Sequence, residues 1–390
     1  MGLGYIAAYV KQHVPDCAIE VFSQAFDSDD EIIRQCEDAD IVGFGCTTPQ
    51  IKSAIELTAR IKLVNPGVYV VFGGYAPTAL PFETKELPGV DKVIVGEGEN
   101  GMLATVRGNR MNVLLSEQIS DLDNLPFPDR KFIKAERHVE VAQKETGKRI
   151  TSVQASRGCP FRCLPCSNIN MHGANIRVRT PQLIIEEMQK IKAELNLDFI
   201  KFCDATFNTS IERTLEFCRE AKSLNLDVPW GCNIHPSIVT QTMFLEMAQA
   251  NCQEVWIGAE SGSPKILREM RKATTPETIK NAFKWAKEAG LLRRAYFLIG
   301  SPSEDAEDIK LTETLAEEID ADSYGMTILC PYPGTELYDA KAYSGVDWSL
   351  ADEYNNTFWR NKAFTNQELW KIRETLTEKF KDRLVWKLKQ

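Results

Sequence analysis

The stretch SRGCPFRCLPCS, residues 156–167, decides the fold because it places three cysteines at spacings of four and three residues. They are Cys159, Cys163 and Cys166. Gly158 and Pro160 keep this segment out of a helix. A closed structural zinc site uses four protein ligands, and no second CxxC or HxxxH pair follows at the usual distance, so zinc would have to recruit His172 or a distant cysteine. Three cysteine ligands leave one iron of a four-iron cluster open, so the pattern predicts an open [4Fe–4S] cluster.

Six strand-like segments alternate with helical patterns in a predicted domain of residues 151–335, and the cysteines follow the first of them. This alternation indicates an α/β fold, and six units predict a partial (β/α)6 barrel of the TIM type. Functional groups of such barrels lie at the carboxyl ends of the strands, so we expect the cysteines at the mouth. The segments are ITSVQAS (150–156), LDFIKFC (197–203), DVPWGCN (227–233), EVWIGAE (254–260), RRAYFLIG (293–300) and DSYGMTILC (322–330).

Short β-branched runs alternate with helical stretches over residues 1–107, which predicts a Rossmann-like, flavodoxin-like parallel sheet. Glycines fall at predicted strand ends in GFGC (43–46) and FGGY (72–75), where such a sheet brings the backbone close to a ligand. The run CAIEVF (17–22) is predicted as a strand. The first helical stretch, GYIAAYVKQH (4–13), begins almost at the first residue, so we expect that the strand which should precede it is missing.

Two segments lack this alternation. Residues 108–150 are predicted as a linker, because the prolines of DLDNLPFPDRKF (121–132) break both helices and central strands. Residues 336–390 are predicted as a C-terminal tail with one helix from Asn366 to Lys387. The tail is expected either to close over a substrate or to pack across the bottom of the barrel.

Composition excludes several functions. The formal net charge of −9 over 390 residues provides no basic field for a nucleic-acid backbone. No run of about 18 apolar residues predicts a membrane span, and the N-terminus lacks the pattern of a secretory signal. Most of the eleven cysteines stand singly inside strand-like or helical segments, as buried free thiols do in a reducing compartment. We therefore expect a cytoplasmic protein that binds no nucleic acid and has no membrane span.

The CxxxCxxC spacing after a first barrel strand resembles the radical S-adenosylmethionine (radical SAM) superfamily, and further stretches similar to its motifs follow in order over residues 120–340. The resemblance implies that the three cysteines ligate a [4Fe–4S] cluster whose open iron binds S-adenosylmethionine. It also implies that an electron from the cluster cleaves this cofactor to a 5′-deoxyadenosyl radical. The electron would come from a donor such as a flavodoxin or a ferredoxin.

Three residues match positions that bind S-adenosylmethionine in this family, and a fourth, His235, departs from the family pattern. Asp204 in FCDATFN matches the acid that holds the amino group, and Glu260 and Ser261 in GAESGS match positions that bind polar groups. Carboxylates on rigid strand ends suit an ammonium and ribose hydroxyls, although strand-end or helix-capping acids are the alternative. His235 stands where many relatives have arginine, so it either binds the cofactor carboxylate, acts as an acid or base, or packs in the core. The stretch YFLIGSPSED (296–305) resembles the segment that lines the adenine.

The N-terminal stretches DIVGFGCTT (40–48) and GVDKVIVGEGE (89–99) are similar to the cobalamin-binding domain that precedes the barrel in one radical SAM branch. The resemblance implies contacts with the nucleotide tail and with the lower face of the corrin. The histidine-bearing loop that ligates cobalt in some cobalamin proteins is not found. A degenerate module kept for packing or substrate docking is the alternative. The residues implied are Cys46, Thr47 and Thr48 for the tail, and Gly73 and Gly74 beneath the corrin.

Together the resemblances imply a cobalamin-dependent radical SAM enzyme that methylates an unactivated carbon of a small-molecule or peptide substrate. Two alternatives stay open. One is a cobalamin-independent radical SAM enzyme that catalyses a dehydrogenation, cyclisation or rearrangement. The other is a non-catalytic iron–sulfur or zinc scaffold. The sequence identifies neither the substrate nor the catalytic acid or base.

Overall fold

The computed structural model describes residues 1–383, and these form two compact units. The first unit contains residues 1–146, 167–173 and 332–351. The second contains residues 147–166, 174–331 and the described chain from 352 onward. No helix within residues 1–383 is long and apolar enough to cross a membrane.

A sheet of four parallel strands forms the centre of the first unit, in the order β1-β2-β3-β4. The strands are β1 (Ile41–Gly45), β2 (Tyr69–Gly73), β3 (Lys92–Val95) and β4 (Val113–Leu115). The helices are α1 (Gly2–His13), α2 (Asp29–Gln35), α3 (Ile51–Val64), α4 (Tyr75–Ala79), α5 (Pro81–Lys85), α6 (Gly98–Val106), α7 (Ala135–Thr146) and α8 (Asn168–His172), with 3-10 turns at Thr48–Gln50, Leu122–Asn124 and Trp348–Leu350. Apolar strands buried by helices give the Rossmann-like architecture that the alternation predicts.

Two sequence predictions for the first unit differ from the structure. The stretch 17–22, predicted as a strand, has no strand conformation and belongs to neither large sheet; its side chains are only half-buried or exposed. Its alternating pattern is real, but alternation alone supplies no neighbouring strand with which to pair. The segment 108–150, predicted as a linker, contains β4 and α7, and β4 pairs with β3 through Val93↔Val113.

The second unit is a half-barrel of six parallel strands in the order β12-β11-β10-β9-β8-β5. The strands are β5 (Ile150–Val153), β8 (Phe199–Phe202), β9 (Trp230–Ile234), β10 (Cys252–Glu260), β11 (Leu292–Ile299) and β12 (Ser323–Ile328), and a short antiparallel pair is formed by β6 (Ser156–Arg157) and β7 (Arg177–Val178). Each of the six predicted barrel strands is present, in the predicted order, because each is an apolar run that helices cover on one face.

Helices follow these strands as the sequence pattern indicates. They are α9 (Pro181–Leu195), α10 (Ile211–Ser223), α11 (Gln241–Gln249), α12 (Pro264–Glu269), α13 (Pro276–Glu288), α14 (Ala306–Ile319) and α15 (Asn366–Lys379), with a 3-10 turn at Lys381–Arg383. Helices α10 to α14 each begin at a Ser, Thr or Asp whose side chain accepts a backbone N–H of the first turn, which fixes where the chain leaves the strand end. The predicted tail helix begins at Asn366 as expected, and its predicted end at Lys387 lies outside the described residues.

Alternate side chains of β10 separate the two faces of the half-barrel. Val255, Ile257 and Ala259 are fully buried on the face that α11 and α13 cover. The intervening side chains, which include Glu254, Trp256 and Glu260, lie on the concave face. We call this concave face the lumen.

An aromatic cluster fixes the covered face at β8 and β9. The rings of Phe202, Phe207 and Phe217 lie 5.4 Å from the ring of Trp230. Trp230 is fully buried, and its indole N–H donates to the Ala250 carbonyl at 2.7 Å. Both the buried area and the satisfied indole therefore contribute to the stability of the second unit.

We expect Trp230→Ala to lower the free energy of unfolding of the second unit by about 3–5 kcal/mol, because it leaves a cavity within the aromatic cluster. Trp230→Phe should cost less, since it keeps most of the apolar volume and loses mainly the bond to Ala250. Urea unfolding followed by circular dichroism measures both. Equal losses for the two variants would contradict the role of ring packing.

Candidate cofactor sites

The cysteine loop leaves β6 through a turn that only glycine permits. Gly158 has φ +96°, and a Cβ at this position would lie 2.2 Å from the Asn175 carbonyl oxygen. The strand β6 is held by β7 through Ser156↔Val178 and Arg157↔Arg177. The loop therefore begins at a fixed point of the half-barrel.

The three thiols lie near one another and differ in exposure. Cys159 and Cys163 are half-buried, and Cys166 is exposed. Burial raises the pKa of Cys163 to about 11; the Lys272 ammonium opposes this rise, and the nearby thiolates of Cys166 and Cys159 add to it. Within residues 1–383 no three His, Cys, Asp or Glu side chains converge as ligands of one metal ion. Cysteines that hold a cluster bind different iron atoms, so this loop suits a cluster and does not show the arrangement of a mononuclear zinc site.

A lysine that the sequence analysis did not identify lies beside this loop. The Lys272 ammonium donates to Glu260 Oε1 at 2.7 Å. Burial acts to lower the pKa of Lys272, but Glu260 and the thiolates of Cys163 and Cys166 outweigh it, so the pKa is raised and the ammonium stays charged. A single lysine in a loop carries no sequence pattern, and only the fold shows its place.

The backbone around Lys272 is strained and touches the cysteine loop. Arg271 and Ala273 have φ of +54° and +53°, and Glu260 has φ +59°. The Leu164 N–H donates to the Met270 carbonyl at 3.0 Å. Non-glycine residues in this region cost free energy and occur where surrounding structure enforces them, often at functional sites.

Asp204 lies where the sequence places it, but its carboxylate is already engaged. It is 1% exposed, and its Oδ2 accepts the Ala155 N–H at 3.0 Å while its Oδ1 accepts the Ser156 hydroxyl at 2.5 Å. Burial raises its pKa, and these two hydrogen bonds act in the opposite direction. The geometry therefore makes Asp204 a positioning residue for the start of the cysteine loop.

Ser261 is also engaged within the protein. It is fully buried, its hydroxyl lies 3.0 Å from that of Thr312, and it accepts the Ser263 N–H at 3.1 Å. The next residue must be glycine, because a Cβ on Gly262 would lie 2.1 Å from the Leu311 carbonyl oxygen. The turn after β10 is thus packed against α14, and it carries Glu260 at its edge.

His235 stacks on the cysteine loop. Its ring lies parallel to that of Phe161 at 3.7 Å. Its Nδ1 accepts the Ser237 N–H at 3.3 Å and lies 2.7 Å from the Ser237 hydroxyl, so the ring hydrogen is on Nε2. Burial, aided by Lys272, lowers the pKa of His235 to about 3, so the ring is neutral. In the described chain Nε2 is buried near the Lys272 backbone and has no hydrogen-bond partner of ordinary geometry.

The first unit brings its five predicted residues together at the carboxyl ends of β1 and β2. The Cys46 N–H donates to the Gly73 carbonyl at 2.8 Å. Gly74 has φ +97°, and a Cβ there would lie 2.7 Å from the Cys46 carbonyl oxygen. Thr47 and Thr48 begin the turn that leads to α3, where Gln50 accepts the Thr47 N–H and hydroxyl. Burial raises the pKa of Cys46 to about 12, so its thiol stays protonated.

His172, the candidate zinc partner, lies in the first unit. Its Nδ1 is 2.8 Å from the buried Glu97 carboxylate, and its ring meets that of Tyr75 edge-on. Glu97 follows the carboxyl end of β3, so this carboxylate positions the His172 ring there. The structure does not gather it with the cysteines into a metal site.

Glu304 fixes the segment after β11 that resembles the adenine-lining stretch. Its carboxylate accepts the N–H groups of Gly300 at 2.5 Å and Ser301 at 3.3 Å. The Trp359 indole donates to the Gly300 carbonyl at 2.7 Å. Glu304 is fully buried, and burial raises its pKa from 4.5 to about 7 despite these two donors.

A parallel half-barrel with a three-cysteine loop at its mouth, preceded by a Rossmann-like unit with a glycine pair at its sheet edge, defines the class of radical SAM enzymes with a B12-binding domain. Comparisons with known proteins agree. The radical SAM superfamily model matches residues 153–316, and the B12 binding domain model matches residues 1–106.

The chain is 30% identical over 361 residues to an uncharacterized methyltransferase of Pyrococcus horikoshii, covering 87% of this chain and 77% of that protein. It is 26% identical to the anaerobic magnesium-protoporphyrin IX monomethyl ester cyclase of Rubrivivax gelatinosus, over 86% of this chain and 65% of the cyclase. The chain belongs to the cobalamin-dependent radical SAM methyltransferase family, whose relatives here include methyltransferases and this cyclase.

A solved structure shares the fold. It is that of the radical S-adenosylmethionine methyltransferase TsrM from Kitasatospora setae, with cobalamin and a [4Fe–4S] cluster bound. It superposes with a TM-score of 0.72 over 88% of this chain and 74% of that chain, at 16% identity.

We expect Gly158→Ala to lower iron incorporation and to destabilise the protein by about 2 kcal/mol, because its methyl group collides with Asn175 and its φ is unfavourable. Gly290→Ala is the matched control, since Gly290 also has positive φ but no atom within 4 Å of a Cβ. Iron and sulfide analysis with thermal unfolding measures both effects. Equal iron content in the two variants would contradict the proposed role of the turn.

Stability is expected to fall as pH rises from about 4.5 to about 7 by up to about 3 kcal/mol through Glu304. The folded state binds the Glu304 proton more tightly than the unfolded chain does, so unfolding releases it over this window. Glu304→Gln should flatten this part of the pH dependence, and Glu307→Gln, a first-turn residue of α14, should not. Urea unfolding at a series of pH values measures the free energy of unfolding. If its slope against pH is the same in Glu304→Gln as in the unmodified protein, the assignment of this pH dependence to Glu304 is refuted.

Proposed function

We propose that the protein methylates an unactivated carbon of its substrate, using S-adenosylmethionine, a [4Fe–4S] cluster and cobalamin. The observation that carries this proposal is the presence of both family domains in one chain, on residues 1–106 and 153–316. When bound, the cluster and S-adenosylmethionine supply a 5′-deoxyadenosyl radical, and cobalamin supplies the methyl group. The protein residues bind and orient these groups.

The cysteine loop would hold the cluster through Cys159, Cys163 and Cys166. The fit is supported by the exposed Cys166 thiol and by the Lys272 ammonium, whose positive charge favours the thiolate form of Cys163. The strained segment 270–273 supports the loop from its other side. Asp204 supports it from within through its hydrogen bonds to residues 155 and 156.

S-adenosylmethionine would be held at the ends of β9 and β10. Glu260 Oε1 is bound by Lys272, and Oε2 makes no hydrogen bond within residues 1–383, so Oε2 is the atom that would accept the cofactor ammonium. His235 Nε2 carries a hydrogen and would donate to the cofactor carboxylate. The predicted cofactor contacts of Asp204 and Ser261 stay predictions. Both side chains already have hydrogen-bond partners in the protein, so we assign neither of them to the cofactor.

Cobalamin would be held by the first unit, where the β1 and β2 ends bring Cys46, Thr47, Thr48, Gly73 and Gly74 together. Gly74 is packed so closely on Cys46 that no side chain fits between them. Thr47 is exposed, and it offers a hydroxyl at the same edge. Small residues at a sheet edge permit the approach of a large planar ligand, which supports the assignment.

A cyclisation is the second candidate reaction. It is favoured by the similarity to a cyclase at 26% identity. We further propose a cytoplasmic location, because none of the eleven cysteines, all within residues 1–383, forms a disulfide. A small flavodoxin or ferredoxin would deliver the electron, and no nucleic acid would take part.

The proposal predicts the products of S-adenosylmethionine consumption. Anaerobically reconstituted full-length protein, given S-adenosylmethionine and a low-potential reductant, should release 5′-deoxyadenosine, and should release S-adenosylhomocysteine only when cobalamin is added. Chromatography of the nucleosides is the measurement. Formation of 5′-deoxyadenosine alone, whether or not cobalamin is present, would overturn the methyl-transfer step and favour the cyclase-like alternative.

Variants separate the two sites in this assay. Cys163→Ala should abolish 5′-deoxyadenosine, since it removes a cluster ligand. Gly74→Val should abolish the cobalamin-dependent product and retain 5′-deoxyadenosine, because its side chain collides with Cys46. Gly108→Val is the matched control, with φ +95° and no atom within 4 Å of a Cβ. Equal effects of the two valine variants would count against the cobalamin site.

A further inference from the structure

A group of charged and aromatic side chains lies in the lumen, apart from the residues assigned to cofactors. They come from three of the six strands, at positions that alternate with the helix-covered residues. We call them the lumen group. Its members are Lys201 of β8, Glu254 and Trp256 of β10, and Arg294 and Tyr296 of β11.

Contacts within the lumen group show that these side chains face one another. The Lys201 ammonium lies 4.8 Å from the centre of the Trp256 ring, and the Arg294 guanidinium lies 5.9 Å from it. Arg294 pairs with Glu254 at 2.7 Å, and the Trp256 indole donates to the same carboxylate oxygen at 2.9 Å. The hydrogen bond to Glu254 thus fixes the tryptophan ring, and one cation from β8 and one from β11 lie near it.

The lumen group carries more positive than negative charge. Glu254 is paired with Arg294, whereas Lys201 makes no hydrogen bond or ion pair within the described chain and lies near the Trp256 ring. The Nε atom of Arg294 is buried without a hydrogen-bond partner among residues 1–383. The Lys201 side chain is exposed, but the lumen side chains around it still displace part of its water; this desolvation, followed by the Arg294 charge, lowers the pKa of Lys201. Lys201 and Arg294 repel each other, and the lumen group contains only one acid. An anionic ligand would compensate this repulsion.

Glycines keep the lumen open beside this group. A Cβ on Gly231 would lie 3.3 Å from the Trp256 ring, and a Cβ on Gly325 would lie 2.7 Å from the Tyr296 ring. Both rings can therefore lie against the sheet. The Lys201 side chain is exposed to solvent. The lumen thus presents an accessible cation above a fixed aromatic surface.

We propose that the lumen group binds an anionic oxygen group of the substrate, a carboxylate or a phosphate, with Lys201 and Arg294 as donors and Trp256 against the adjoining carbon atoms. This inference rests on the proposed function and names the chemical class of its substrate. Trp256 precedes Glu260 by four residues on one strand, which corresponds to about 13 Å. The substrate would therefore extend from the anion site toward the strand ends that carry the cofactor residues.

Fluorine NMR titration of the full-length reconstituted protein tests this inference without turnover. The probes are 4-fluorobenzoate, 4-fluorophenyl phosphate and the neutral isostere 4-fluorobenzamide. The protein should bind the better of the two anions at least about tenfold more tightly than the amide, and the comparison of benzoate with phosphate identifies the anionic group. Equal affinity for benzoate, phosphate and amide would overturn the inference.

Lys201→Met should weaken binding of the preferred anion about tenfold and leave binding of the amide unchanged. Lys201 has no ion pair to break, so this variant is expected to fold. Lys284→Met, on the exposed face of α13, makes the same change of net charge and should leave both affinities unchanged. Equal effects of the two variants would show that overall charge, and not the lumen group, attracts the anion.

The two proposals fail independently in these experiments. Loss of anion selectivity with normal formation of 5′-deoxyadenosine and S-adenosylhomocysteine would refute the lumen site and retain the methyltransferase. Selective anion binding without S-adenosylhomocysteine would retain the site in a chain with another reaction. The nucleoside assay and the titration therefore report on different residues.

Discussion

The cysteine loop depends on a carboxylate buried at the end of the neighbouring strand. Asp204 accepts the Ala155 N–H and the Ser156 hydroxyl, and it does so only while β5 and β8 keep the register Val153↔Phe202. A buried carboxylate without these donors would be strongly destabilised, so the strand pairing and the hydrogen bonds support each other. Because Cys159 follows Ser156 by only three residues, the bond between Asp204 and Ser156 also restricts the position of the first cysteine.

The other side of the loop is set by a strained turn that carries a cation. Lys272 follows the contact between Leu164 and Met270 and lies between the thiols and Glu260. Three residues with positive φ near this point cost free energy, and they persist because the surrounding structure enforces them. Burial, aided by the same ammonium, lowers the pKa of His235 and keeps its ring neutral. One cation thus pairs with Glu260 and adds to the effect of burial on the pKa of His235 while opposing it on the pKa of Cys163.

The sequence predicted most of the fold because the signal was periodic. Six apolar runs with helices between them give a parallel half-barrel, and the cysteine spacing locates its mouth. The run 17–22 was predicted wrongly, since alternation shows a capacity for pairing and not the presence of a partner. Lys272 and the lumen group carry no local pattern. The engagement of Asp204 with Ser156 likewise depends on contacts across 48 residues of sequence.

Charge is distributed along β10 in a way that separates two tasks. At its carboxyl end Glu260 has one oxygen bound by Lys272 and one without a hydrogen bond in the described chain, which suits a cationic cofactor group. Four residues earlier Trp256 lies beside Lys201 and Arg294, of which only Arg294 has an anionic partner. An anionic substrate group would be drawn past the acid toward the cations, so the two ends of one strand favour ligands of opposite charge. This polarity would orient an anionic substrate along the strand before any reaction begins.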